Sequence, residues 1–353
     1  MKKPGSLVRP SIARLVPYSS ARDEFSGTAS VYLDANENPY NGPYNRYPDP
    51  HQLALKEKVG RIKNIDPGNI FLGNGSDEAI DILFRIFCEP GKDNVVAISP
   101  SYGMYRVCAD INNVEYIPVP LEQDFSLNSD RLKAAVNQGT KMVFICSPNN
   151  PTANSFDPDE ILALAEELDV ILVVDEAYID FSSNRSLKSD IITHPNLVIL
   201  QTFSKAWGLA GIRLGMAFAN QEIIELMSRV KYPYNLNILT LEFADKELDK
   251  HAQVEEWIRI ILEERKKLSR AMKKFRFVEK VYPTDANFLL VRVRKARKVY
   301  QYLVENNIIV RDRSNVELCD GSLRITVGSP EENKILLDKL WDYQRDFVET
   351  CDL

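Results

Sequence analysis

The chain has 353 residues, which at about 150 residues per domain predicts roughly two domains and a core large enough to need no staples. Hydrophobic residues make up 44% and charged residues 27%, a globular balance that excludes a disulfide mini-scaffold, a disordered tail and a collagen-like rod. With 44 Lys+Arg against 50 Asp+Glu the net charge is −6, so no global basic field for nucleic acid is expected.

The opening MKKPGSLVRPS has basic residues but no apolar run after them, so it is not expected to be a secretory signal. Pro4, Pro10 and Pro17 predict an irregular arm over residues 1–28. A Gly-rich turn, GNGS at 73–76, leads into a helix over 76–87 with Ser76 as its N-cap and Pro90-Gly91 as its stop. Nearly continuous apolar runs at 94–99, 141–147, 170–175 and 197–202 predict strands buried on both faces of a parallel sheet. Between them, 157–168 reads as a helix with Pro158 in its first turn and acidic residues near its start. This alternation predicts an α/β domain over residues 29–250. From about 236 to 275 the text is long, charged and amphipathic. Strands at 288–293 and 308–311 and a helix over 330–348 follow, predicting a smaller α+β domain over 251–353. No apolar run is long enough to span a bilayer, and a cytoplasmic setting is expected.

Five cysteines (Cys88, Cys108, Cys146, Cys319, Cys351) without a C-x-x-C pair read as reduced thiols. The three histidines, His51, His194 and His251, lie far apart, which argues against metal or triad chemistry. The phosphate-loop, dinucleotide, nucleophile-elbow and zinc-protease signatures are all missing from the sequence.

What stands out lies at strand ends. Asp175 closes one apolar run and Tyr178 follows. Thr202 closes the next, with Lys205 and Arg213 behind it, and Asn150 follows the run at 141–147. In an open α/β sheet, ligands bind outside the carboxyl ends of the strands, so these segments should converge on one crevice. Each alone has a structural explanation: a lysine after a strand is usually a solvated charge, and an aspartate there is commonly a turn former. Their joint order and spacing is what singles them out.

On these residues, together with LDANENPY (33–40), RYPDP (46–50), PSYGMY (100–105), SPNNPT (147–152), DEAY (175–178), TFSKAWGLAGIRLG (202–215), RDR (311–313) and LRITVG (323–328), the chain resembles the fold-type I pyridoxal-phosphate (PLP) aminotransferases, and among them the histidinol-phosphate aminotransferases. The resemblance implies a large domain with a mostly parallel seven-stranded sheet flanked by helices, plus a smaller α+β domain. It implies Lys205 as the amine that bonds the cofactor aldehyde and then moves the substrate proton, and Asp175 as the partner of the pyridine nitrogen. Asn150 and Tyr178 would bond the phenolic oxygen, and Tyr102 would stack on the ring; a core or interface aromatic is the competing reading for Tyr102. The backbone of Ser76 and Asp77, with Thr202, Ser204 and Arg213, would hold the cofactor phosphate. Tyr47 would reach the cofactor of a neighbouring subunit, implying a homodimer. Arg324 would clamp a carboxylate or phosphate, with Arg311 and Tyr18 over the substrate phosphate and Asn36 orienting the substrate.

Two positions depart from the family pattern. Ala153 stands where glycine usually follows NPT, predicting a small backbone adjustment, and Asn41 precedes Gly42. The implied reaction passes an amino group between histidinol phosphate and 2-oxoglutarate, both small anions, with no metal, nucleic acid or membrane involved. A broader aromatic aminotransferase and a PLP lyase of the threonine-phosphate decarboxylase type remain open. An aminotransferase-like domain within a DNA-binding regulator would need a basic module for which the arm leaves no room.

Overall fold

The structure is a computed structural model that describes residues 4–19, 27 and 29–348. Seven strands form the larger sheet: β1 Ile70–Asn74, β2 Asn94–Ser99, β3 Glu115–Pro120, β4 Thr140–Cys146, β5 Ile171–Asp175, β6 Leu197–Thr202 and β7 Leu214–Ala219. Their order is β1-β7-β6-β5-β4-β2-β3. Strands β2 to β6 are mutually parallel, and β7 is antiparallel to both its neighbours, β6 and β1. β1 therefore runs in the same direction as β6.

The four apolar runs are β2, β4, β5 and β6, and their lack of alternation has a visible cause. Along β4, Met142, Phe144 and Cys146 enter one core cluster while Val143 and Ile145 enter another, and β5 divides in the same way. Both faces of these strands are covered, so both sets of positions are apolar. Helices Gly75–Phe87, Met104–Ile111 and Gln221–Val230 cover one face. Helices Leu53–Lys63, Pro158–Glu167 and Ile238–Glu247 lie toward the other. Each large side chain buried this way contributes about 1.5–3 kcal/mol.

Ser76 is not the N-cap expected of it. The helix begins at Gly75 with Asn74 as N-cap and no side-chain cap bond. The Glu78 carboxylate instead accepts from Asn74 N (2.5 Å) and Asn74 Nδ2 (3.0 Å), which leaves the amides of Ser76 and Asp77 at an uncapped helix start.

A second sheet is wholly antiparallel, in the order β10-β11-β9-β8, from β8 Val278–Val281, β9 Phe288–Val293, β10 Arg311–Asp312 and β11 Ser322–Thr326. The strand expected at 308–311 is two residues long and starts at Arg311, because Ile308 N bonds Leu303 O and finishes helix Ala296–Glu305. The amphipathic stretch at 236–275 is not one helix. It breaks at a 3-10 turn, Leu248–Lys250, before helix His251–Met272, and Lys58 bridges Asp245 (3.3 Å) and Asp249 (2.8 Å) at the break. The C-terminal helix Pro330–Tyr343 starts with a Ser329/Glu332 capping box and ends in a π turn, Gln344–Val348. Cys88, Cys108, Cys146 and Cys319 are buried free thiols, and Cys351 lies outside the described residues. Among the described residues no helix is long and apolar enough to cross a membrane.

Candidate active site

The parallel strands deliver their carboxyl ends to one edge of the large sheet, and antiparallel β7 delivers its amino end there. Ser76 and Asp77 follow β1, Tyr102 follows β2, and Asn150 follows β4. Asp175 ends β5 with Tyr178 just beyond. Thr202, Ser204 and Lys205 are at the end of β6, and Arg213 directly precedes β7. All of these line one crevice.

At its base Asp175 is 3% exposed. Its Oδ2 accepts from the Tyr105 hydroxyl at 2.8 Å and its Oδ1 from Ala177 N at 3.0 Å. Burial pushes its carboxyl above the usual carboxylate range, and these two bonds offset only part of that. Tyr105 is fully buried, stacked on Phe144 at 4.8 Å and edge-on to Tyr102 at 5.6 Å. It belongs to the PSYGMY segment, but nothing in the sequence marked it as a partner for Asp175, because a tyrosine on a helix reads as core.

Lys205 Nζ lies 5.5 Å from the centroid of the Tyr178 ring. Its pKa is lowered, first by burial and then by the charge of Arg324, with Asp175 opposing. Tyr178 is buried with its hydroxyl 3.5 Å from Asn150 Nδ2, and its ring is edge-on to Phe288 at 5.2 Å. Arg324 Nη1 donates to Asn150 Oδ1 at 2.5 Å and its guanidinium lies 5.3 Å from the Phe288 centroid, so it borders the crevice.

The opposite end is built by close backbone approach. A Cβ on Gly215 would fall 2.2 Å from Ser76 N, so only glycine lets β7 pack against the start of helix Gly75–Phe87. Gly75 takes φ +72° and donates to Arg213 O at 2.7 Å. Arg213 Nη2 and the Tyr102 hydroxyl both donate to the Asp77 carboxylate, at 3.4 and 3.0 Å. The Thr202 hydroxyl donates to Ser204 Oγ at 2.9 Å. This donor set suits PLP: uncapped helix amides, hydroxyls and an arginine for a phosphate, a buried carboxylate for a ring nitrogen, and a desolvated amine for an aldehyde. No acid, histidine or cysteine cluster suited to a metal occurs among the described residues.

Three expected residues lie elsewhere in this single chain. Asn36 and Tyr47 line a separate cavity, where Tyr47 stacks on Tyr234 at 4.4 Å. Tyr18 is 74% exposed beside a third cavity with His51 and Lys231. Arg311 is exposed on β10, directly opposite Arg324 in the ladder. Of the two departures, Ala153 is buried at φ +72° and Asn41 sits at φ +70°. Ala153 thus keeps the left-handed conformation that glycine favours, and Asn41 takes the same region at lower cost.

The model of the family "Aminotransferase class I and II" matches residues 25–340. A histidinol-phosphate aminotransferase from Bacteroides fragilis (strain YCH46) is 54% identical over 345 residues, covering 98% of this chain and all of that protein. Among solved structures, the histidinol-phosphate aminotransferase from Sinorhizobium meliloti in complex with pyridoxal-5'-phosphate aligns with a TM-score of 0.78 at 23% identity, over 85% of this chain and 83% of that one. The L-threonine-O-3-phosphate decarboxylase from Porphyromonas gingivalis aligns at 0.74 and 25% identity, over 86% and 92%. With the crevice at the carboxyl ends of the sheet and a family match running nearly end to end, this chain belongs to the class I and II aminotransferases.

Proposed function

We propose that this chain is a PLP-dependent aminotransferase of histidine biosynthesis. It interconverts histidinol phosphate and 2-oxoglutarate with imidazole-acetol phosphate and L-glutamate. The observation that carries this reading is full-length 54% identity to a histidinol-phosphate aminotransferase. The crevice, with Lys205 and Asp175 at adjacent strand ends, agrees with it.

When bound, PLP supplies an electron sink that acidifies the substrate carbon next to nitrogen. Lys205 Nζ would be the attachment amine and, once freed, the base that moves the substrate proton; its lowered pKa favours the neutral amine that both tasks need. Asp175 would hold the ring nitrogen and stabilise a proton there. Asn150 and Tyr178 would bond the phenolic oxygen, and Tyr102 would support the ring. The amides of Ser76 and Asp77, with Thr202, Ser204 and Arg213, would hold the phosphate. Lys205, Arg213, Arg311 and Arg324 concentrate positive charge locally on a chain of net charge −6, which suits small anionic substrates.

Arg324 takes the substrate's carboxylate or phosphate, and Arg311, Tyr18 and Asn36 complete its enclosure. Tyr47 lies away from the crevice of its own chain, so the active unit is a homodimer in which Tyr47 reaches the crevice of the second copy. Residues 1–28, of which 1–3, 20–26 and 28 lie outside the described residues, serve as an arm, 29–250 as the cofactor-binding domain and 251–353, described to 348, as the small domain, in a cytoplasmic enzyme. Incubation of the purified protein with histidinol phosphate and 2-oxoglutarate should yield glutamate. Release of carbon dioxide from threonine phosphate without any glutamate would replace the transferase reading with a lyase.

A further inference from the structure

Arg313 has no assigned part in the reaction above, yet the small sheet presents it to the crevice. β10 and β11 pair Arg311 with Arg324, and the ladder continues as Arg313 N bonds Ser322 O at 2.9 Å. Side chains alternate along a strand and opposed residues share a face, so Arg311, Arg313 and Arg324 project from the same side of the sheet. The core clusters identify that side. Leu323 and Ile325, which alternate with Arg324, pack in the small domain's own core with Leu289 and Val291. Leu290, opposite Arg324, and Phe288 instead join the cluster that covers the large sheet.

Three guanidinium groups thus share the face turned toward the crevice, and Asp312 points from the other. Arg313 Nε is buried without a hydrogen-bond partner. The backbone bonds that shape the turn, Arg313 N to Ser322 O and Val316 N to Arg313 O, are ones any residue makes there, so they leave the side chain unexplained. Glu317 lies in the same turn but is engaged by Ser99 Oγ at 2.7 Å. Burial and then the charge of Arg311 depress the pKa of Arg313, with Asp312 and Tyr178 opposing, and burial followed by the charges of Arg313 and Arg311 depresses that of Arg324. Like charges held together beside an orphaned donor are relieved by an anion with two charged ends.

We propose that Arg313 is a specificity-determining residue that, with Arg311, binds the second anionic group of doubly charged substrates while Arg324 holds the first. The second group is the distal carboxylate of glutamate and of 2-oxoglutarate; histidinol phosphate, which has no carboxylate, brings a single anionic group, its phosphate, to the same arginines. The inference rests on the aminotransferase reading for its substrates.

The test uses the cofactor-loaded enzyme and compares kcat/KM for glutamate with that for norvaline, which carries a methyl group in place of the distal carboxylate. Arg313→Met should cut the preference for glutamate about ten- to a hundredfold, the worth of a charge-assisted hydrogen bond. Arg313→Lys should restore part of it, and inorganic phosphate should compete with glutamate less well in the Met variant. Equal losses on both amino acids, or an unchanged ratio, would overturn the proposal. So would a failure to fold by Arg313→Met, Arg313→Gln and Arg313→Lys alike, which would make the residue structural. A wild-type enzyme that accepts glutamate but not histidinol phosphate would remove the substrate assignment and leave the glutamate comparison intact.

Discussion

Replacing Tyr105 with Phe tests how the fold holds Asp175. The hydroxyl donates to Asp175 Oδ2 at 2.8 Å, and both groups are buried. A hydrogen bond to a charged acceptor is worth about 1.5–3 kcal/mol, so its removal should raise the carboxyl pKa further. Asp175 already titrates above its unfolded value because burial outweighs its hydrogen bonds. For an acid with a raised folded pKa, the native state binds more protons than the unfolded one between the two pKa values. Stability therefore falls as pH rises through that window. The variant extends the window upward, so its deficit against wild type should be small at acid pH, widen as pH rises through the folded pKa of wild-type Asp175, and level off above that of the variant. Thermal melts of the cofactor-free proteins from about pH 5 to about pH 9 read this directly. The plateau should be about 1.5–3 kcal/mol, and the variant should also hold PLP more weakly. A pH-independent deficit would mean that Tyr105 contributes packing alone and that its bond to Asp175 does not tune the carboxylate.

Lys205→Ala should abolish both turnover and the visible absorbance that attached PLP gives; a variant that keeps the band would move the attachment to another residue. Gly215→Ala places a Cβ where only 2.2 Å separates it from Ser76 N, so it should displace the helix start. PLP affinity, read by equilibrium dialysis, should drop at least about tenfold, since the helix amides are part of the anion site; unchanged affinity would remove Ser76 and Asp77 from the phosphate cup. Arg311→Ala should harm phosphorylated substrates far more than aromatic amino acids, and equal losses would contradict its role.

The central strands were legible because β2, β4, β5 and β6 are covered on both faces and therefore read as continuous apolar runs. β3 was hidden by its own sequence. EYIPVP carries two prolines, which its edge position tolerates because one side of the strand has no ladder to supply. The break after Glu247 could not be read from periodicity, since no glycine or proline marks it; it coincides with a tertiary contact, the bridging of Asp245 and Asp249 by Lys58.

The site divides in the same way. Asp175, Lys205, Asn150 and Arg213 were visible because each stands at a fixed distance from the end of an apolar run. Tyr105 was not, because its role depends on a helix laying its hydroxyl against a strand 70 residues away. Arg313 carried no signal of its own either, since only the register of β10 on β11 puts it on the same face as Arg324.

The most direct measurement of the central claim follows the nitrogen. Histidinol phosphate labelled with heavy nitrogen in its amino group is incubated with the enzyme and unlabelled 2-oxoglutarate, and the glutamate formed is weighed by mass spectrometry. The account predicts glutamate carrying the label, matched by loss of the amine from histidinol phosphate. Histidinol phosphate that keeps its label while no glutamate forms would contradict it.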